Sequence, residues 1–116
     1  MKASLLIGIV SFGLVAGTAG AADIADPAKT QANWKTHCYS CHGNDGRGKT
    51  KAGRKAKVKD LTDAKIQKQY SDQQMYDQIK SGMKDKKGKD MMKPYGDKLN
   101  DAEIKDLIAF VRTLAK

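Results

Sequence analysis

The chain has 116 residues, room for one small domain, with 22 basic residues against 13 acidic ones and a formal net charge of +9. Between Ala22 and Lys116 only 12 residues are Ile, Leu, Val or Phe, a composition in the range of disordered chains and too thin for a self-sufficient side-chain core. Several cores are therefore excluded within these residues, and so is one large apolar core built from side chains alone.

Residues 1–22 read as a signal peptide. Lys2 is followed by an uncharged stretch with an apolar centre from Leu5 to Ala16, closing on the small residues Ala19-Gly20-Ala21-Ala22. That is a secretory leader cleaved after Ala21 or Ala22. A retained membrane anchor is the alternative, since about 20 uncharged residues can cross a bilayer; Ser4, Ser11, Thr18 and the glycines weaken it. Residues 23–116 are then the working domain.

Asp26-Pro27 predicts the start of the first helix, with Asp26 at the N-cap and Pro27 at the first helical position, where a missing N–H costs nothing. This helix is expected to run through Trp34 to about Cys38, with Trp34 in the core. Next comes Cys38-Tyr39-Ser40-Cys41-His42, which contains both cysteines of the chain. Gly46 to Lys59 is expected to be a loop with seven basic residues and no acid, and Asp60-Leu61-Thr62-Asp63 restarts order before a short helix around Ala64–Gln69. Ser71 and Gln74 form a capping box for a helix that puts Met75, Tyr76 and Ile79 on one face and stops at Gly82. A second basic loop is expected over Met83–Lys93, ending in Met91-Met92-Lys93-Pro94-Tyr95. Asn100 and Glu103 are spaced as another capping box, opening a last helix whose Ile104, Leu107, Ile108, Val111 and Leu114 form a stripe.

C-x-x-C-H is the spacing at which a haem is attached covalently. Two thiols one helical turn apart can each add across a haem vinyl group, and the following imidazole then lies against the iron. Three other readings compete. A thioredoxin-like couple belongs in a βαβ setting, and no strand-like alternation occurs here. A disulfide would suit an exported chain. Zinc held by His37, Cys38, Cys41 and His42 is sterically awkward, because structural zinc sites draw ligands from two separated pairs. The thin core favours haem: a macrocycle would supply the apolar centre that the side chains lack.

With these residues in place, the chain resembles a class I c-type cytochrome, a small single-haem protein, over nearly all of residues 23–116. The aromatic one turn before the motif (Trp34), Cys38-Tyr39-Ser40-Cys41-His42-Gly43, a methionine near a proline about fifty residues on, and the final Asp106-Leu107-Ile108-Ala109-Phe110-Val111-Arg112 carry the likeness. It implies an all-α fold of three to four short helices around one covalently bound haem c, with the first and last helices crossing at Trp34, Leu107 and Phe110. Three departures stand out. Thr30 occupies the place of a usual glycine eight residues before the first cysteine. No proline lies between Pro27 and Pro94 to offer its carbonyl to the histidine, so His42 is expected to find a backbone acceptor in the 44–60 loop. Lys93 interrupts the usual methionine–proline pair.

The resemblance implies iron held by His42 and a methionine. Met75 is expected in the core and Met83 at the surface or filling a gap, which leaves Met91 and Met92. The family commonly spaces its ligand seven residues before a leucine at the entry to the last helix, and Met92 to Leu99 is seven, so Met92 is the expected ligand. Both axial positions would then be filled, leaving one-electron transfer and no enzymatic site; His37 is expected at the surface. The alternative is a haem sensor or small haem enzyme with an open sixth position. Lysines make up 19 of the 22 basic residues. Together with the export signal and the lack of interleaved aromatics, this argues against nucleic acid and for acidic redox proteins as partners, a membrane-bound oxidase or reductase among them. The expectation is a monomeric periplasmic electron carrier.

Overall fold

A computed structural model describes residues 23–116, together with Gly8 and Gly13. The expected signal peptide lies outside the described residues, and no described helix is long and apolar enough to cross a membrane. The described residues fold as six short α-helices, the first two joined through a π-helical turn, and one small hairpin.

Helix α1 (Pro27–Asn33) starts where expected, the Asp26 carboxylate accepting the Lys29 N–H. Its end differs from expectation. Instead of stopping near Cys38, the chain passes through a π-turn, Trp34–Cys38, into α2 (Tyr39–His42), and Tyr39 N–H bonds five residues back to the Trp34 carbonyl. The wider turn absorbs an extra residue without breaking the helix and rotates everything after it. Gly43 then ends the segment at φ +78.

The basic segment after it is not wholly a loop. Helix α3 (Lys51–Ala56) forms within it, the Thr50 side chain accepting from Gly53 N–H. Six residues do not hold a helix alone; contact with α2 does. Thr50 Oγ1 donates to the Ser40 carbonyl at 2.7 Å. A Cβ at Gly53 would stand 2.2 Å from the Cys41 carbonyl oxygen, so only glycine lets α3 come this close to the attachment motif.

Helices α4 (Ala64–Lys68) and α5 (Asp72–Ser81) follow, and the Ser71–Gln74 capping box is complete. The second basic segment also departs from the expected loop. It closes into an antiparallel hairpin, β1 (Met83–Lys84) with β2 (Asp90–Met92). The Asp85 carboxylate makes the turn by accepting from Lys87 and Lys89 N–H, with Gly88 at φ +79. Met83 pairs with Met92 and Lys84 with Asp90, which leaves Met91 as the extra residue of a bulge.

Helix α6 (Asp101–Thr113) carries the core. Its Ile104, Leu107, Ile108 and Val111 are buried with Trp34, Met75 and Leu99. Its Asn100–Glu103 capping box is complete. Helices α1 and α6 pack together, and Trp34 meets Phe110 edge-on at 5.0 Å. Thr30 fits this contact because its hydroxyl is satisfied, donating to the Asp26 carbonyl at 2.8 Å. Asp106 of α6 accepts the backbone N–H groups of Ala25 and Asp26, both at 3.0 Å. One polar side chain in the core was not foreseen: buried Gln67 donates its amide to the carbonyls of Leu61 and Val111.

Candidate functional site

Cys38 closes the π-turn and Cys41 stands on the next turn; both thiols are free. Burial, with a smaller contribution from the neighbouring Cys41, pushes the Cys38 thiol up to about 12, so it stands protonated at neutral pH. Among the described residues no three His, Cys, Asp or Glu side chains gather as a metal cluster.

Burial lowers the pKa of His42, keeping a neutral imidazole, the form that binds a metal. Its Nδ1 is enclosed and has no hydrogen-bond partner. The residue as a whole is half-buried, and the Nδ1 side of its ring is enclosed. The expected acceptor from the 44–60 loop is not there. That loop makes its close approach with an N–H instead, Gly48 donating to the His42 carbonyl at 2.8 Å. Trp34 backs the ring at 5.9 Å, and its indole N–H donates to the Gly43 carbonyl at 3.1 Å. The tryptophan therefore braces the backbone that carries the histidine.

The methionines separate by environment. Met75 is buried in the core and Met83 is half-buried on β1. Met91, in the bulge, is 40% exposed, whereas Met92 is half-buried opposite Met83. Cys38, Cys41 and His42 lie together on consecutive turns, and Met92 comes from a different element. The link between the two halves is Tyr95, which sequence reading did not single out. Its hydroxyl donates to the His37 carbonyl at 3.0 Å, and the two rings lie 5.4 Å apart. Burial first, and then Cys38 and Cys41 in their ionised forms, raise its pKa. His37 is thus half-buried against Tyr95 rather than a free surface residue. A tyrosine three residues after a candidate methionine was the available signal. Two free thiols and a neutral imidazole on consecutive turns, with thioethers on the hairpin before Tyr95, form a donor set whose chemistry fits a haem.

The family model described as cytochrome c matches residues 27–115. Among solved structures the chain is similar to a KustC0563 c-type cytochrome, with a TM-score of 0.67 and 32% identity over 75% of this chain and 98% of that one. It is likewise similar to a tyrosine-to-phenylalanine mutant of Kustc0563, with a TM-score of 0.64 and 32% identity over 73% and 96% of the two chains. No curated protein matches.

Proposed function

The chain belongs to the cytochrome c family, and on that premise we propose an exported, monomeric one-electron carrier whose haem is attached through Cys38 and Cys41 and ligated by His42 and Met92. The family's fold, its covalently attached haem c with iron and its role in electron carriage come with membership. The residue assignments rest on one observation above the others: the two free thiols and the neutral imidazole of His42 stand on consecutive turns.

The haem, when bound, supplies one-electron iron chemistry. This chain's residues hold and tune it. Cys38 and Cys41 present free thiols on adjacent turns for thioether formation. Trp34 fixes the His42–Gly43 backbone, and the buried face of His42 keeps the imidazole neutral. Half-buried Met92, rather than exposed Met91, is the better-placed thioether, a soft ligand that favours ferrous iron and raises the potential. The lysine-rich segments suit docking onto acidic redox proteins in the periplasm, where long-range attraction speeds encounter and leaves complexes weak enough to part.

The test is the visible spectrum of purified protein, oxidised and reduced. The haem should resist extraction into acidified acetone. The ferric protein should show a methionine–iron charge-transfer band that Met92→Ala abolishes and Met91→Ala leaves in place. Extractable haem would overturn covalent attachment, and a wild-type protein lacking the band would overturn the methionine ligand.

A further inference from the structure

Helix α5 ends at Ser81, and a helix end leaves carbonyls in need of donors. Here the chain that follows β2 supplies them. Tyr95 N–H donates to the Ile79 carbonyl at 2.9 Å and Gly96 N–H to the Lys80 carbonyl at 3.0 Å. The segment carrying Met92 therefore lies directly across the end of α5. Gly82 sits beneath that crossing at φ +76.

Two separate constraints act on Gly82. The backbone stands at φ +76 and ψ −179, a region essentially open to glycine alone and strained for side chains. The space disfavours all of them: a Cβ would stand 2.6 Å from the Met92 carbonyl oxygen, 2.9 Å from Pro94 N and 3.1 Å from the Lys93 carbonyl carbon. These are main-chain atoms of three successive residues and cannot swing aside as a side-chain tip would. Gly88, in the hairpin turn, also has a positive φ, +79, but nothing lies within 4 Å of its Cβ position. The bulge adds direction, turning Met91 out to solvent and leaving Met92 paired with Met83.

We propose that Gly82 is a positioning residue for the sixth ligand: its bare Cα lets the Met92–Pro94 backbone seat against α5, and that seat presents Met92 rather than Met91 to the haem. The proposal rests on the reading of Met92 as axial ligand.

The test compares haem-loaded Gly82→Asn, which meets both the backbone constraint and the collision, with Gly88→Asn, which meets a positive φ but no collision. Gly82→Asn should keep covalent haem and far-ultraviolet circular dichroism but lose the methionine–iron band at neutral pH, with a lowered potential. Gly88→Asn should keep both band and potential. A folded Gly82→Asn protein with the wild-type band and potential overturns the proposal. Should Gly82→Asn fail to fold, Gly96→Ala decides. Its Cβ would press on Lys80 at 3.0 Å and lift the same segment, so the band should disappear at a lower pH than in the wild type; an unchanged midpoint overturns the proposal. Met92→Ala, run alongside, separates the two ideas, because a band surviving that change refutes the ligand assignment itself.

Discussion

Trp34→Phe tests how the attachment motif is held. Trp34 is 4% exposed, and its indole N–H satisfies the carbonyl of buried Gly43. Phenylalanine keeps a ring against Phe110 and His42 but has no donor. A buried carbonyl stripped of its partner costs about 1–3 kcal/mol. Losing the rest of the indole removes roughly three heavy atoms of buried contact, about 2 kcal/mol at ~0.8 kcal/mol per methylene-sized group. The sum, about 3–5 kcal/mol, is a large share of the ~5–15 kcal/mol that typical domains possess. With a urea slope of about 1–3 kcal/mol/M, the unfolding midpoint of the holoprotein, followed by far-ultraviolet circular dichroism, should fall by about 1 M or more. Phe110→Leu, which gives up an edge contact of about 0.5–1.5 kcal/mol and no hydrogen bond, should shift it less. A Trp34→Phe midpoint within about 0.3 M of wild type would refute the brace.

Replacing Cys38 or Cys41 with Ser should leave one thioether and a lower yield, and the double replacement should leave no haem on a denaturing gel stained for peroxidase activity. The haem-free chain should be mostly unfolded by circular dichroism, because so few large apolar side chains cannot offset an ordering cost of about 1–2 kcal/mol per residue. Acid should destabilise the fold through carboxylates held below their ordinary range: Asp60 by the Thr62 hydroxyl and N–H, Glu103 by the Asn33 amide, Asp106 by the Ala25 and Asp26 N–H groups. Depressed folded values give stability that is present above the unfolded values of 3.8 and 4.5 and lost as pH falls through the folded ones; urea midpoints should drop on acidification, and less steeply for Asp106→Asn. Lys55→Glu and Lys87→Glu should slow stopped-flow reaction with an acidic partner and flatten its salt dependence while leaving the potential unchanged, and rates indifferent to both would make these lysines ordinary solvated surface.

What could be read from the sequence was local. Asp26-Pro27, Ser71 with Gln74 and Asn100 with Glu103 announce helix starts because each cap lies within a few residues of the donors it serves. The α6 stripe was visible because burial on a helix repeats at spacings of three and four. What escaped notice depends on distant partners. Helix α3 exists because Gly53 fits against the Cys41 carbonyl, although Thr50 was a usable cap signal. The hairpin runs through lysines that resemble solvated coil, and only Asp85 and Gly88 hinted at its turn. The Tyr95 bridge joins residues 58 apart. Nothing local marks the lone Nδ1 of His42, because an acceptor offered by a loop can be judged only once the loop has folded.

Asp106 ties the molecule together in time as well as in space. It serves as a second cap for α1, accepting from Ala25 and Asp26 across 81 and 80 residues of chain. The start of α1 thus lacks part of its hydrogen bonding until the last helix is in place. Contacts so far apart in sequence form late, since loop closure must come before any reward from the contact. The segment bearing the two thiols lies between these two anchors, so its final surroundings are set only when α1 and α6 have met.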